Sequence, residues 1–260
     1  IRRQRQMCIR DRQRDIAASE RDELKKQMEQ MEATIDELKT AELEVLDKIK
    51  TLSNKELDKI KGIFSSVNVA LKRKNMYFNA MANSKRKDSK GGPYVPLKIK
   101  LDDPRIEDKV SAIFKSVDDI EYYREVMLSV PLGKPVWSYW VTSRYGTRSD
   151  PFKKTKARHK GVDLASRTGN KVNVKGQGKV IRAEYAGAYG NLVVVDHGNG
   201  FQTKYAHLNK IYVKKGDRLE INDTVGEVGS TGRSTGPHLH YEVLYKGVNV
   251  DPLPFLKAKI

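Results

Sequence analysis

The chain is short of cysteine, of long apolar runs and of acidic residues, and each shortage closes off a class of structure. One cysteine, Cys8, among 260 residues excludes an internal disulfide and any metal site built from several thiolates. No apolar run reaches the ~18 residues that a bilayer-spanning helix requires. The apolar share is only 38% against 32% charged, too lean for one large globule. That balance suits elongated helices joined to one compact domain. Lys and Arg number 50 against 33 Asp and Glu, a formal charge of +17, which favours a polyanionic partner. Nucleic acid, anionic phospholipid and an acidic wall polymer all fit that charge. The chain begins with Ile1, not Met. No intact signal peptide is readable, and the native N-terminus is expected to be missing or altered.

Proline and glycine are also absent from about residue 13 to residue 52, where apolar residues recur on steps of three and four. Leu24, Met28, Met31, Ile35, Leu38, Val45, Ile49 and Leu52 follow this spacing, with Glu42 in one core slot. Such a repeat keeps one helix face turned to a partner helix and predicts a coiled coil. A step of five from Leu52 to Leu57 breaks the register, after which Leu57, Ile60, Phe64, Val67 and Leu71 resume it; a local change of supercoil or a bend is expected there. The expected organisation is a long helical coiled coil over 1–82 and a Gly/Pro-containing linker over 83–104, which includes GGPYVP. A second helix and connector should occupy 105–134 and fold back on the arm or brace the next domain.

From about residue 135 the texture changes. Short apolar runs at 171–174, 179–183, 192–196, 205–208 and 239–244 alternate with glycine-rich turns, the pattern of a mainly β, antiparallel domain over 135–260. Asp196-His197-Gly198-Asn199-Gly200 is a hairpin signal, because Asn-Gly supplies left-handed backbone angles at small cost.

All five histidines fall in this domain: His159, His197, His207, His238 and His240. His159 and Asp163 stand four apart. His238 and His240 stand two apart, so on a strand they share a face. Imidazole nitrogen and carboxylate oxygen suit zinc, and three protein ligands leave a position for water. The glycine-rich stretch at 229–236 lacks the Lys-Ser/Thr ending of a phosphate loop and precedes a strand, so no nucleotide site is expected.

The segments TSRYGTR (142–148), HKGVD (159–163), GNLVVVDHGNG (190–200), YAHL (205–208) and GSTGRSTGPHLHYEV (229–243) together resemble the M23 metallopeptidases, the family of lysostaphin and the LytM-like wall endopeptidases. The resemblance covers about half the chain. It implies a LytM/lysostaphin-like antiparallel sheet, one zinc ion held by His159, Asp163 and His240, and His207 and His238 as catalytic residues around the zinc-bound water. Their division of roles stays open. It further implies hydrolysis of peptidoglycan stem-peptide cross-links, with D-Ala–diaminopimelate bridges favoured by the GGPYVP segment, on the periplasmic side of a cell envelope.

Arg144, Asn191 and Glu242 are candidates for substrate contact or for supporting a metal ligand, and His197 is read as structural. Lys153, Lys154, Lys156, Arg158 and Lys160 form a basic run beside His159 that could attract stem-peptide carboxylates. The arm offers a surface for envelope or division proteins or for a second copy of the chain, and anchoring by a preceding membrane segment fits the basic N-terminal stretch. Some coiled-coil relatives lack the zinc residues and activate other hydrolases. A scaffold or activator is therefore the alternative reading, against which the complete motif set argues. A nucleic-acid partner rests on charge alone and is not expected.

Overall fold

The computed structural model describes residues 2–72, 103–149 and 155–258. The GGPYVP segment and the basic residues Lys153 and Lys154 lie outside them. The chain divides into two compact units, Ile1–Asn54 with Leu97–Ser116, and Lys55–Pro96 with Val117–Ile260.

Two helices contribute to both units: α1 (Arg2–Lys72) and α2 (Pro104–Ser129). In the first unit Lys109 pairs with Asp47, and the Ser116 hydroxyl donates to the Asn54 amide oxygen, both at a separation of 62 residues. A constant offset means that the two helices run parallel there. Asp103 opens α2, accepting from the Arg105 backbone N–H (2.9 Å), the local bond that helix starts favour. Leu24, Met28, Met31, Ile35, Leu38, Val45, Ile49 and Leu52, the predicted coiled-coil seam, are exposed among the described residues. Leu43, Leu46 and Ser53 are half-buried, and they continue through Leu57, Ile60, Phe64, Val67 and Leu71 on unbroken steps of three and four, with Lys50 in one slot. The expected register shift at Leu52–Leu57 is therefore a change between two stripes. One of them faces solvent, and the other begins at Leu43.

In the second unit Leu57, Ile60, Phe64, Val67 and Leu71 are buried in one cluster with Ile120, Val126 and Val130 and with the sheet residues Tyr205, Leu239 and Tyr241. Phe64 packs on Tyr123 at 5.6 Å between ring centroids, and Arg124 pairs with Glu56 at 3.4 Å. Burying five large side chains along a short helix stretch stabilises it at roughly 1.5–3 kcal/mol each before entropy is counted.

The sheet is antiparallel, as expected. Its strands are β1 (Trp140–Ser143), β4 (Val162–Ala165), β6 (Gly178–Tyr185), β7 (Asn191–Gly198), β8 (Phe201–Leu208), β9 (Arg218–Leu219), β11 (His238–Tyr245) and β12 (Val248–Val250). They lie in the order β1-β4-β11-β8-β7-β6-β9, with β12 also on β11. Two ribbons accompany the sheet, β2 (Gly146–Ser149) with β3 (Lys156–His159), and β5 (Lys171–Asn173) with β10 (Thr224–Glu227). A short helix α3 (Leu253–Lys257) buries Phe255 and Leu256. The β7–β8 hairpin turns through Asn199 at φ 48° and Gly200 at φ 83°, the left-handed pair that Asn-Gly was expected to supply. Along β11 the period of two sends Leu239, Tyr241 and Val243 into the core and leaves His238, His240 and Glu242 on the opposite face.

Candidate metal centre and cleft

Strand pairing places two of the three candidate ligands, and a tight two-residue connection places the third. His240 on β11 lies directly across from Asp163 on β4, so both side chains share a face at cross-strand distance. His159 ends β3, and only Lys160 and Gly161 separate it from β4. A side chain at Gly161 would meet the Tyr241 carbonyl oxygen at 2.3 Å, so this tight entry needs glycine.

The ligating atoms of His159, Asp163 and His240 lie within 4.8 Å of one another, and all three residues are buried. The His159 Nδ1–H donates to the Arg144 carbonyl oxygen at 2.9 Å, which leaves Nε2 as a bare acceptor aimed inward. That Nε2 stands 3.1 Å from Asp163 Oδ1 and 3.1 Å from His240 Nδ1. His240 Nδ1 is 2.8 Å from the same Asp163 oxygen, and its Nε2–H donates to Glu242 Oε1 at 3.2 Å. With Glu242 holding the Nε2 proton, three acceptors converge and no donor is left between them. Such a centre calls for a cation. Two imidazole nitrogens and one carboxylate oxygen are the donor set of a zinc site with positions to spare.

The same atoms hold positive charge when no metal shares them. Burial opposes ionisation of Asp163, but positive charge shared with His159 and His240 outweighs it and holds the carboxyl well below the usual carboxylate range; a proton between these atoms or a metal cation supplies that charge. Burial likewise opposes charge on His240, and Asp163 and Glu242 overcome it, raising the imidazole.

Glu242 is fully buried, yet both its oxygens are engaged. Tyr189 donates from its hydroxyl (2.9 Å), Asn249 from its amide (2.8 Å), and Lys204 pairs with it at 3.1 Å. Burial would push its carboxyl up, but His240, Lys204 and Asn249 bring it down to about 2. It is therefore a fixed anion behind His240.

His207 and His238 stand next to the triad, their ring centroids 4.9 Å apart and His207 5.9 Å from His240. Each donates Nδ1–H to a backbone carbonyl, His207 to Thr231 (2.8 Å) and His238 to Gly236 (2.7 Å). Both Nε2 atoms are thus available to a ligand. Burial lowers the His207 pKa to about 4, with His238 and His240 adding to the effect against the Thr231 bond. His207 is therefore neutral near pH 7. Its φ is 61°, a strained angle for a residue with a side chain, and the β7–β8 register shifts beside it. A bulge of this kind re-aims a side chain at a site.

The centre opens into a cleft of about 370 Å3 lined also by Arg148, Arg158, Lys160, Tyr189 and Arg233. The other predicted residues divide. Arg144 is exposed and contributes its carbonyl, not its guanidinium. Asn191 donates its amide to the Leu208 and Asn209 carbonyls, a loop clamp. His197 is buried between the Gln177 carbonyl (2.9 Å) and the Thr203 hydroxyl (2.8 Å), away from the cleft. Arg148, whose guanidinium meets Asp163 Oδ2 at 3.3 Å, and Tyr189 were missed. Arg148 lies two residues beyond Gly146, which pairs with His159; the β2–β3 pairing that reveals this is invisible in sequence.

Residues 157–252 match the profile of peptidase family M23. The matched residues lie within the β-domain and include all three candidate metal ligands. Over 128 residues the chain is 41% identical to the peptidoglycan DD-endopeptidase ShyA of Vibrio cholerae, covering 48% of this chain and 29% of the relative. It is 40% identical over 113 residues to the DD-carboxypeptidase/endopeptidase Mpg of Neisseria meningitidis, covering 44% and 26%. A solved zinc-containing peptidase from Vibrio cholerae is 36% identical, with 51% of this chain and 40% of that one covered and a TM-score of 0.43. The chain thus spans under a third of the curated relatives it matches.

Proposed function

We propose that this protein is a zinc metalloendopeptidase that hydrolyses peptide cross-links of bacterial peptidoglycan. The observation that carries the reading is the convergence of bare acceptors from His159, Asp163 and His240, with His207 and His238 beside them. Zinc held by those three residues would polarise the scissile carbonyl and make a bound water a stronger nucleophile. The chain's own part is to hold and move protons. His207, neutral and fixed through Nδ1, accepts a proton at Nε2, while His238 Nε2 serves the oxyanion or the leaving amine. Glu242 keeps His240 in the tautomer that leaves Nδ1 free.

The names of the M23 relatives support a bond between D-configured residues, and a directly cross-linked D-Ala–diaminopimelate bridge is the proposed target. The proposed location is the periplasmic side of the envelope, with anchoring through a segment that precedes Ile1. Among the described residues no helix is long and apolar enough to cross a membrane. The exposed stripe from Leu24 to Leu52 is the proposed surface for envelope or division proteins or for a second copy.

The test is digestion of purified peptidoglycan by zinc-loaded full-length protein, with identification of the bond cut. Release of uncross-linked stem peptides is expected. His207→Ala should keep its zinc and lose about 100-fold or more in rate. No bridge cleavage by zinc-replete protein, with or without residues 1–130, would remove the reading.

A further inference from the structure

The M23 motifs account for the triad and the two nearby imidazoles, but not for the charge of the cleft around them. Of the groups that line it, the carboxylates are Asp163 and Glu242, and both are consumed internally, by the candidate metal ligands and by Tyr189, Lys204 and Asn249. Against them stand four cations, Arg148, Arg158, Lys160 and Arg233. Three of the four come from one short stretch of structure. Arg148 lies on β2, and Arg158 and Lys160 flank His159 at the end of β3. Arg148 is engaged by Asp163. Arg158 donates to the Tyr145 hydroxyl at 3.3 Å and lies over that ring at 6.0 Å, contacts that orient the guanidinium, and it meets no carboxylate among the described residues. Lys160 is exposed, and the carboxylates of the cleft pair with Arg148 and Lys204 instead. Two such cations on either side of a metal ligand, both lining the cleft, give this wall a positive field that attracts an anion.

We infer that the β2–β3 wall, through Arg158 and Lys160, is a subsite for a carboxylate of the substrate next to the scissile bond, and so selects stem peptides with a free acid over their amides. The inference rests on the peptidase reading and adds a specificity to it. A guanidinium and an ammonium bind a carboxylate by charge-assisted hydrogen bonds, which a carboxamide of the same shape does not replace. In a partly exposed cleft the discrimination should be about tenfold, at the low end for bonds to charged groups.

The experiment compares a cross-linked stem-peptide dimer with the same dimer carrying carboxamides in place of its free acids. Both are offered to zinc-loaded full-length protein and to an Arg158→Gln/Lys160→Gln variant whose zinc content is measured. Wild type should cut the free-acid dimer with about tenfold higher kcat/KM, mainly through KM. The double variant should bring that ratio close to one at unchanged zinc content, and 1 M salt should do the same to wild type. Equal kcat/KM for both dimers in wild type, or a preference that survives in the double variant, overturns the subsite. Should neither dimer be cut, the peptidase reading fails on its own. Calorimetric binding of the two dimers to the same proteins then decides the subsite by the same ratio.

Discussion

The first 54 residues and the β-domain use apolar residues in opposite ways. In the sheet, Leu239 and Tyr241 alternate with His238, His240 and Glu242 and are fully buried. In the arm, Leu24, Met31, Leu38 and Leu52 repeat with equal regularity and are 60–69% exposed. Regular spacing therefore specifies a face that favours burial but does not specify what covers it. Within α1 the contrast is sharpest, because Leu57 to Leu71 are as regular as Leu24 to Leu52 and are buried.

Substitutions can break this comparison at several strengths. The largest effect is expected at the centre that the sheet positions. Asp163→Ala should abolish zinc binding and lower cleavage by at least about a thousandfold, a loss of several kcal/mol, while the helical circular dichroism stays unchanged. Metal analysis alongside the digestion assay checks it. Next comes the packed part of α1. Phe64→Ala should destabilise the second unit by about 3–5 kcal/mol, and Leu38→Ala in the exposed stripe of the isolated chain by less than about 0.5 kcal/mol, read by urea unfolding. A large loss from Leu38→Ala that grows with protein concentration would show that the stripe is covered by a second copy.

Smaller effects come from residues that support others. Glu242→Gln should weaken zinc binding about tenfold in a chelator competition, because a neutral amide holds the His240 Nε2 proton less firmly. His197 gives the smallest effect, a pH dependence of stability. Burial lowers its folded pKa below the ordinary value, so the unfolded chain takes up the proton first as pH falls. Its contribution is complete above about pH 6.5 and is lost on acidification. Wild type should lose about 1 kcal/mol more than His197→Gln between pH 7 and pH 5, measured by unfolding at each pH.

Much of the site was legible because its chemistry is carried by residues close in sequence. HKGVD and HLH each place two side chains by local geometry alone, and Asn199-Gly200 announced its hairpin by backbone preference. The roles of Arg144 and Asn191 were not legible, because a side chain that turns inward to clamp a loop reads the same as one that turns out to a substrate. Arg148 and Tyr189 reach the cleft through a strand pairing and a loop, neither of which leaves a sequence signal. The second stripe of α1 was hidden for a different reason. Lys50 and Ser53 occupy its slots, so the more apolar but solvent-facing stripe dominated the pattern.

By itself the sequence determined that a helical arm precedes an antiparallel β-domain and which five histidines that domain carries, since periodicity and turn chemistry are local properties. Only the tertiary structure decided that β4 and β11 lie side by side with Asp163 opposite His240, that His207 is turned into the cleft by a bulge, and which stripe of α1 is buried. Those outcomes depend on contacts between residues far apart in the chain, whose energies exist only once the strands have paired and the core has closed.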